Sequence, residues 1–259
     1  YDREKFNREI LYNEYTLQNS LYSGSEYENP NNNKFEFNPK KAVALLKEAG
    51  YVNRNEDGYL VHKNTGKVLS FTIETMKPAE YRITPMQQIL KEYGIDMQIK
   101  FVDSTTRWKN LMDRNFTIDF QAWGGLVYPN PETSFKSTLA DQKNNNNIAG
   151  VKSERIDKLL PFYDTEFDHA RRVEIIQEID GIVSDIHPSA WGLSREPPAR
   201  LLFWNKFGYP EYMLSKYGGR FYDILAHWWF EPDKEDILQK AMKNNESLPK
   251  GDLEHTFWK

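Results

Sequence analysis

Cysteine is absent from the 259 residues. That excludes disulfides, cysteine-ligated zinc, iron–sulfur clusters and cysteine nucleophiles. No run approaches the ~18 consecutive apolar residues that a membrane-spanning helix needs. Neither sign of charge dominates: 34 basic residues stand against 38 acidic ones, a net charge of −4, so there is no basic field of the kind a nucleic-acid binder carries. The phosphate-binding patterns G-x-G-x-x-G and G-x-x-x-x-G-K-[ST] are missing, as are the G-x-S-x-G elbow and H-E-x-x-H. The five histidines, His62, His169, His187, His227 and His255, have no metal-ligand spacing and read as surface or capping residues. Asn53-Arg54-Asn55-Glu56-Asp57-Gly58 mimics the start of a calcium loop, but its twelfth position is Asn64 where a bidentate Glu is needed. It reads as a hairpin turn, and neither a metal nor a cofactor is expected. The sequence opens on Tyr1-Asp2-Arg3-Glu4-Lys5, in what reads as the middle of a helix, so a fragment of a longer protein is expected.

Aromatic residues, by contrast, are plentiful: 7 Trp, 15 Tyr and 15 Phe. A disordered chain is poor in them, so this one is expected to fold, as one large domain or two small ones. A helical stripe at Phe6, Ile10, Leu11 and Tyr15 comes first. Asn38 then caps a helix with Pro39 at its first position, a stripe at Ala42, Leu45, Leu46 and Ala49, and Gly50 as its stop. Turn pairs at Asp57-Gly58 and around Gly66 separate β-prone runs, which reads as a hairpin. From Val68 the pattern alternates: a strand over 68–75, a helix over 78–93 closed by Gly94, a strand over 95–102, a helix to Arg114 with Trp108, Leu111 and Met112 inward, and a strand over 117–123. Alternation of this kind predicts an α/β fold with a parallel or mixed sheet. Two further helices follow, Ser153 to about Tyr163 and Thr165 to Ile186. The second is expected to bury Phe167, Val173, Ile176, Ile179, Val183 and Ile186, and a strand is expected over 189–194. Residues 200–230 are rich in aromatics, and a charged helical tail begins at Glu231.

Between the strand at 117–123 and the helix at Ser153 lies a long irregular stretch, Gly124 to Asn147. Loops of that length in a folded domain are usually functional. In open α/β sheets ligands bind beyond the carboxyl ends of strands. The candidate site is therefore Trp123, Gly124, Gly125, Tyr128 and Asn130: two flat aromatic walls, two glycines that let backbone approach closely, and a side-chain amide that both donates and accepts. The alternative is a packed surface loop with Trp123 in the core. Asn144 to Asn147 reads as a solvated turn, or else as a polar rim of the same cleft. Asp119 and Glu132 could be imagined as a catalytic acid and base, but nothing in their spacing supports it, and Asp119 reads as structural.

Several segments resemble the family 5 extracellular solute-binding proteins of bacterial ABC importers. Tyr1 to Phe6 is similar to the family's Asp-Arg-Glu segment. Phe37-Asn38-Pro39 with Ala44 to Tyr51 resembles its N-P-x-x-A-x-x-L-L-x-E-A-G-[WY] helix. Leu90 to Ile95, Val102-Asp103 and Phe116 to Trp123 resemble its central sheet segment, and Arg155 to Leu159 its x-x-I-D-x-L helix. Trp228-Trp229 is similar to a C-terminal segment of one subgroup. The resemblance implies a type II periplasmic-binding-protein lobe: a mixed sheet flanked by helices over 1–199, and a return segment over 200–259 that packs on an N-terminal lobe lying outside this chain. It implies a binding component that captures peptides or a similar small solute and hands them to a membrane permease. It further implies a periplasmic or extracellular place peripheral to the membrane, a monomeric full-length protein, and no catalytic residue. Peptide binders of the family often place a carboxylate soon after the strand-end Trp to receive the ligand's amino group. Here the following residues are Gly124, Gly125, Leu126 and Val127, so that anchor is not carried over. Two other readings remain open: a clamshell that reports ligand to a sensor, and a carboxylate-dependent hydrolase of peptides or glycans.

Overall fold

Asp2 opens the first helix. Its carboxylate accepts from the Lys5 N–H at 2.9 Å, and α1 runs Arg3–Ile10. The helix thus has its own N-cap where the sequence reading expected a helix already under way. The computed structural model describes residues 1–122, 128–195, 203–211 and 220–249. The chain divides into two units, Tyr1–Glu196 and Pro197–Lys259.

In the first unit, α1 buries Phe6 and Asn7, and left-handed Tyr12 and Asn13 turn the chain into β1, Tyr15–Leu17. This strand pairs antiparallel with β7, Leu193–Arg195, well short of the expected 189–194 strand at its start. The buried Arg3 guanidinium ties the ribbon down. It donates to the carbonyls of Gln18, Phe35, Trp191 and Gly192 and to Asn19 Oδ1. Helix α2, Pro39–Glu48, is capped by Asn38 as expected, yet buries none of its residues: Leu45 on the expected stripe is 52% exposed.

The hairpin forms across Asp57-Gly58, between β2, Tyr51–Arg54, and β3, Leu60–His62. The second turn gives only one bridge, Val61 to Val68, before the chain enters the central sheet. That sheet has the order β5-β4-β6, with β4 at Ser70–Thr75, β5 at Asp96–Phe101 and β6 at Ile118–Asp119. All three described strands run parallel; antiparallel pairing occurs in the separate ribbons. Alternate residues serve opposite faces. Ile73 aligns with Ile99 and Ile118, and with Phe71 and Met97 it packs on Ile83, Met86 and Leu90 of α3, Glu80–Glu92. Gly94 ends α3 at φ +81, and a Cβ there would meet Arg54 at 2.9 Å and Leu60 at 3.0 Å. Only glycine suits that approach. The other face carries Glu74, aligned with Lys100 and Asp119, beneath α4, Ser104–Met112. Leu111 of α4 is buried as expected, but Trp108 is 52% exposed.

A second core lies between α6, Glu154–Thr165, and α7, His169–Ile186. Ile156, Leu159, Leu160 and Tyr163 of one helix meet Ile176, Ile179 and Val183 of the other, joined by Tyr27 and Phe135. Ser153 and Asp168 cap these helices with their side chains. Because Asp168 is the cap, Phe167 falls in the turn before α7 and is 93% exposed instead of buried; Ile186, at the far end, is exposed too. In the second unit, β8, Phe207–Gly208, pairs antiparallel with β9, Trp229–Phe230. The rings of Phe203, Tyr209 and Trp228 meet edge to face or tilted, with centroids 4.8–5.8 Å apart, and α8, Arg220–His227, and α9, Pro232–Asn244, complete the described part.

Candidate functional site

The carboxyl ends of the parallel strands meet at a polar row. Glu74, buried on the central strand, accepts from Lys100 Nζ at 2.6 Å and Asn110 Nδ2 at 2.9 Å. Burial alone would raise its carboxyl, but the bonds from Lys100 and Asn110 outweigh this and hold it below the usual carboxylate range. Asp103 follows β5 and caps α4. Bonds from Thr106, then from Thr105, keep its carboxyl low as well. One turn into α4, Arg107 reaches over to β6. Its Nε donates to Asp119 Oδ2 at 2.7 Å, and its Nη2 serves Asp119 Oδ1, the Phe120 carbonyl and Gln121 Oε1. This explains why the expected strand 117–123 contracts to Ile118–Asp119. The Phe120 N–H still reaches the Glu74 carbonyl at 3.3 Å, but its own carbonyl is taken by Arg107, so the ladder stops there.

Beyond Ala122 the chain is next described at Tyr128. Trp123, Gly124 and Gly125 of the candidate site lie outside the described residues. Tyr128, 54% exposed, and Asn130, also exposed, flank the buried Pro129. The Pro129 carbonyl accepts from Tyr163 Oη at 2.7 Å. Arg172 lies over the Tyr163 ring at 3.9 Å and donates to the Tyr163 and Glu166 carbonyls, which fixes the ring from behind. Asn130 precedes α5, Pro131–Phe135, without capping it by its side chain. The stretch expected to be irregular over 124–147 therefore holds a short helix and a 3-10 turn at Ser137–Leu139. Proline at the first helical position and the burial of Pro131 and Phe135 account for the helix. Glu132 is ion-paired with Lys136 and Asp119 with Arg107, so each has a structural partner.

The asparagine run is a built turn. Asn147, fully buried, donates to the carbonyls of Lys136 and Val151 and accepts from the Val151 N–H at 2.8 Å. Asn145 donates to the Leu139 and Gln142 carbonyls, and Arg114 to those of Leu139, Gln142, Asn147 and Ile148. Replacing Asn147 by Ala leaves several buried backbone groups without partners. It should cost about 2–3 kcal/mol in urea unfolding; a loss below about 0.5 kcal/mol would place the side chain in a merely solvated turn. Arg107, Arg114 and Tyr163 were not legible as organisers of this region, because each acts across 12 to 34 residues of sequence.

Residues 1–146 match the family model described as bacterial extracellular solute-binding proteins, family 5 Middle. The chain belongs to this family. Among its relatives is the uncharacterized protein y4wM of Sinorhizobium fredii, 25% identical over 265 residues, which cover 88% of this chain and 39% of that protein. The probable peptide-binding protein YejA of Agrobacterium fabrum is 28% identical over 215 residues, 79% of this chain and 33% of that protein. The chain thus spans 33–39% of the length of these relatives. In structure it is similar to the oligopeptide-binding protein AppA of Bacillus subtilis, solved in complex with a nonapeptide. The TM-score is 0.71 at 21% identity, covering 89% of this chain and 45% of AppA. The fold is accordingly α/β, that of a type II periplasmic binding protein, and the matched residues include the whole described parallel sheet as well as Tyr128 and Asn130.

Proposed function

We propose that the chain supplies one ligand-binding lobe of the substrate-binding component of an ABC importer, which captures peptides or a similar small solute and delivers them to a membrane permease. The observation that carries this is the family match over 1–146, which spans the sheet edge and the polypeptide leaving it. The names of the relatives, peptide-binding YejA and nonapeptide-bound AppA, favour a peptide as ligand. The component is not an enzyme, acts in the periplasm or outside the cell, and works as a monomer that closes around its ligand. Residues 200–259 form the return segment that packs on a second lobe. The exposure of Trp204, Trp229 and Phe230 supports this, since aromatic surface of that kind favours association.

Within the lobe, Trp123, Gly124, Gly125, Tyr128 and Asn130 form the ligand face. Trp123 and Tyr128 give flat walls, the glycines open the backbone, and Asn130 pairs with the ligand backbone. Mass spectrometry of small molecules that co-purify with the full-length protein identifies the ligand class. With a bound peptide in hand, Trp123→Ala should weaken binding by roughly 1–3 kcal/mol in calorimetry while leaving the fold intact. Unchanged affinity in a folded variant places the site elsewhere, and a variant that fails to fold makes Trp123 a core residue.

A further inference from the structure

Asp180 on α7 is 1% exposed, and among the described residues no Lys, Arg or His forms an ion pair with it. Its Oδ2 accepts from the Asn29 N–H at 3.0 Å and from Asn32 Nδ2 at 2.6 Å, and the Ser20 hydroxyl also reaches this carboxyl group. Its Oδ1 has no hydrogen-bond partner, and neither has Oδ1 of the same Asn32, which is buried as well. The two side chains are therefore joined through one pair of atoms, and the second oxygen of Asp180 and the single oxygen of Asn32 are each left without a hydrogen. A carboxylate beside an amide cannot fill that need, because both remaining atoms only accept. A carboxylic acid can, because its O–H supplies the one missing donor and the pair closes into a ring of two hydrogen bonds.

We propose that Asp180 is a neutral carboxylic acid in the folded chain, its Oδ1–H donating to Asn32 Oδ1 while Oδ2 accepts from Asn32 Nδ2, and that this pair is a pH-sensitive clasp between residues 20–33 and α7. The groups around it oppose ionisation. From the 20–33 segment, Glu28 adds like charge and the Tyr22 phenol is itself pushed well up, first by burial and then by Asp180. Tyr163 on α6 faces Tyr22, and on α7 the Ser184 hydroxyl, one turn on, has no partner. Asp185 on the same helix is reached by Asn33 at 3.5 Å, and Glu26 is paired with His169 at 2.9 Å; among the described residues no salt bridge offsets Asp180. Burial, then Glu28, raise the Asp180 carboxyl above its ordinary range, against the pull of Asn29, Asn32 and Ser20. The sign follows from proton counting. Between the ordinary Asp value of ~3.9 and the raised folded value, the folded state binds more protons than the unfolded one. Stability contributed by the clasp is therefore present at low pH, falls as pH rises through the folded value, and levels off above it.

Thermal melts of the full chain from pH 4 to 8 test this with Asp180→Asn and Asp180→Ala. The amide that the first substitution introduces can donate to Asn32 Oδ1 as the acid does. Asp180→Asn should therefore melt at or above the wild type at pH 8, with the gap shrinking towards pH 4. Asp180→Ala should melt about 3 °C or more below Asp180→Asn at every pH. In ¹³C spectra the carboxyl resonance missing from Asp180→Asn should titrate above the ordinary aspartate range. A resonance that stays ionised down to pH 4 overturns the proposal, even if a variant does not fold. So does an Asp180→Asn protein that melts as low as Asp180→Ala with no dependence on pH.

Discussion

Replacing Arg107 by Ala is expected to destabilise the Tyr1–Glu196 unit by about 3–5 kcal/mol, the cost of leaving a buried charge without its partner. The Arg107 and Asp119 side chains are 12% and 6% exposed, so water cannot take over. The guanidinium also satisfies the Phe120 carbonyl and the Gln121 amide oxygen, both of which lose a charged donor. Urea unfolding followed by tryptophan fluorescence measures the loss. The double variant Arg107→Leu with Asp119→Leu should recover much of it, because removing both charges removes the desolvation penalty along with the attraction. A single-variant loss below about 1 kcal/mol, the value typical of exposed pairs, would show that the pair is solvated in the folded chain.

The other large effect is expected at Ile176. It is fully buried between α6 and α7, and Ile176→Ala should cost about 2–5 kcal/mol through lost transfer energy and the cavity left behind. Ile186, on the same helix and just as apolar, is 43% exposed and should tolerate Ala within about 0.5 kcal/mol. Comparing the two by thermal unfolding separates burial from composition. Equal losses at both positions would contradict the placement of this core. The consequence for the site is direct. Ile176 belongs to the cluster that holds Tyr163 and Phe135, and these seat Pro129 and α5 beside Tyr128 and Asn130. On the ligand face proposed above, a loosened α6–α7 core should therefore weaken binding before the sheet itself is disturbed.

Where chain-local chemistry decides, the sequence is a good guide. Asn38-Pro39 marks a helix start because the cap and the proline act within one turn. The β-α-β-α-β pattern from Ser70 to Asp119 is readable because the sheet alternates with helices of ordinary length. Reading fails where a side chain three-dimensionally distant makes the decision. Phe167 fits the helical stripe of α7, but the Asp168 cap ejects it into the turn. Trp108 fits the inward face of α4, yet the polar row of Glu74, Lys100 and Asp119 lies beneath that helix, and Arg107 and Asn110 serve it instead. The candidate site was chosen by position, as the residues following a strand end. Of its five residues, Tyr128 and Asn130 are described, and both are exposed. What holds them was not legible, because Tyr163 and Arg172 belong to helices that arrive later in the chain.

Arg107 secures residues 119–121, and Tyr163 secures Pro129. The polypeptide between these two moorings thus begins and ends on fixed points that belong to separate hydrophobic cores. Lengthening it adds little closure entropy, about 0.6 kcal/mol for each doubling, and neither mooring needs to change. A protein engineer can therefore vary the sequence from 122 to 128, the stretch proposed above to face the ligand, without redesigning either core.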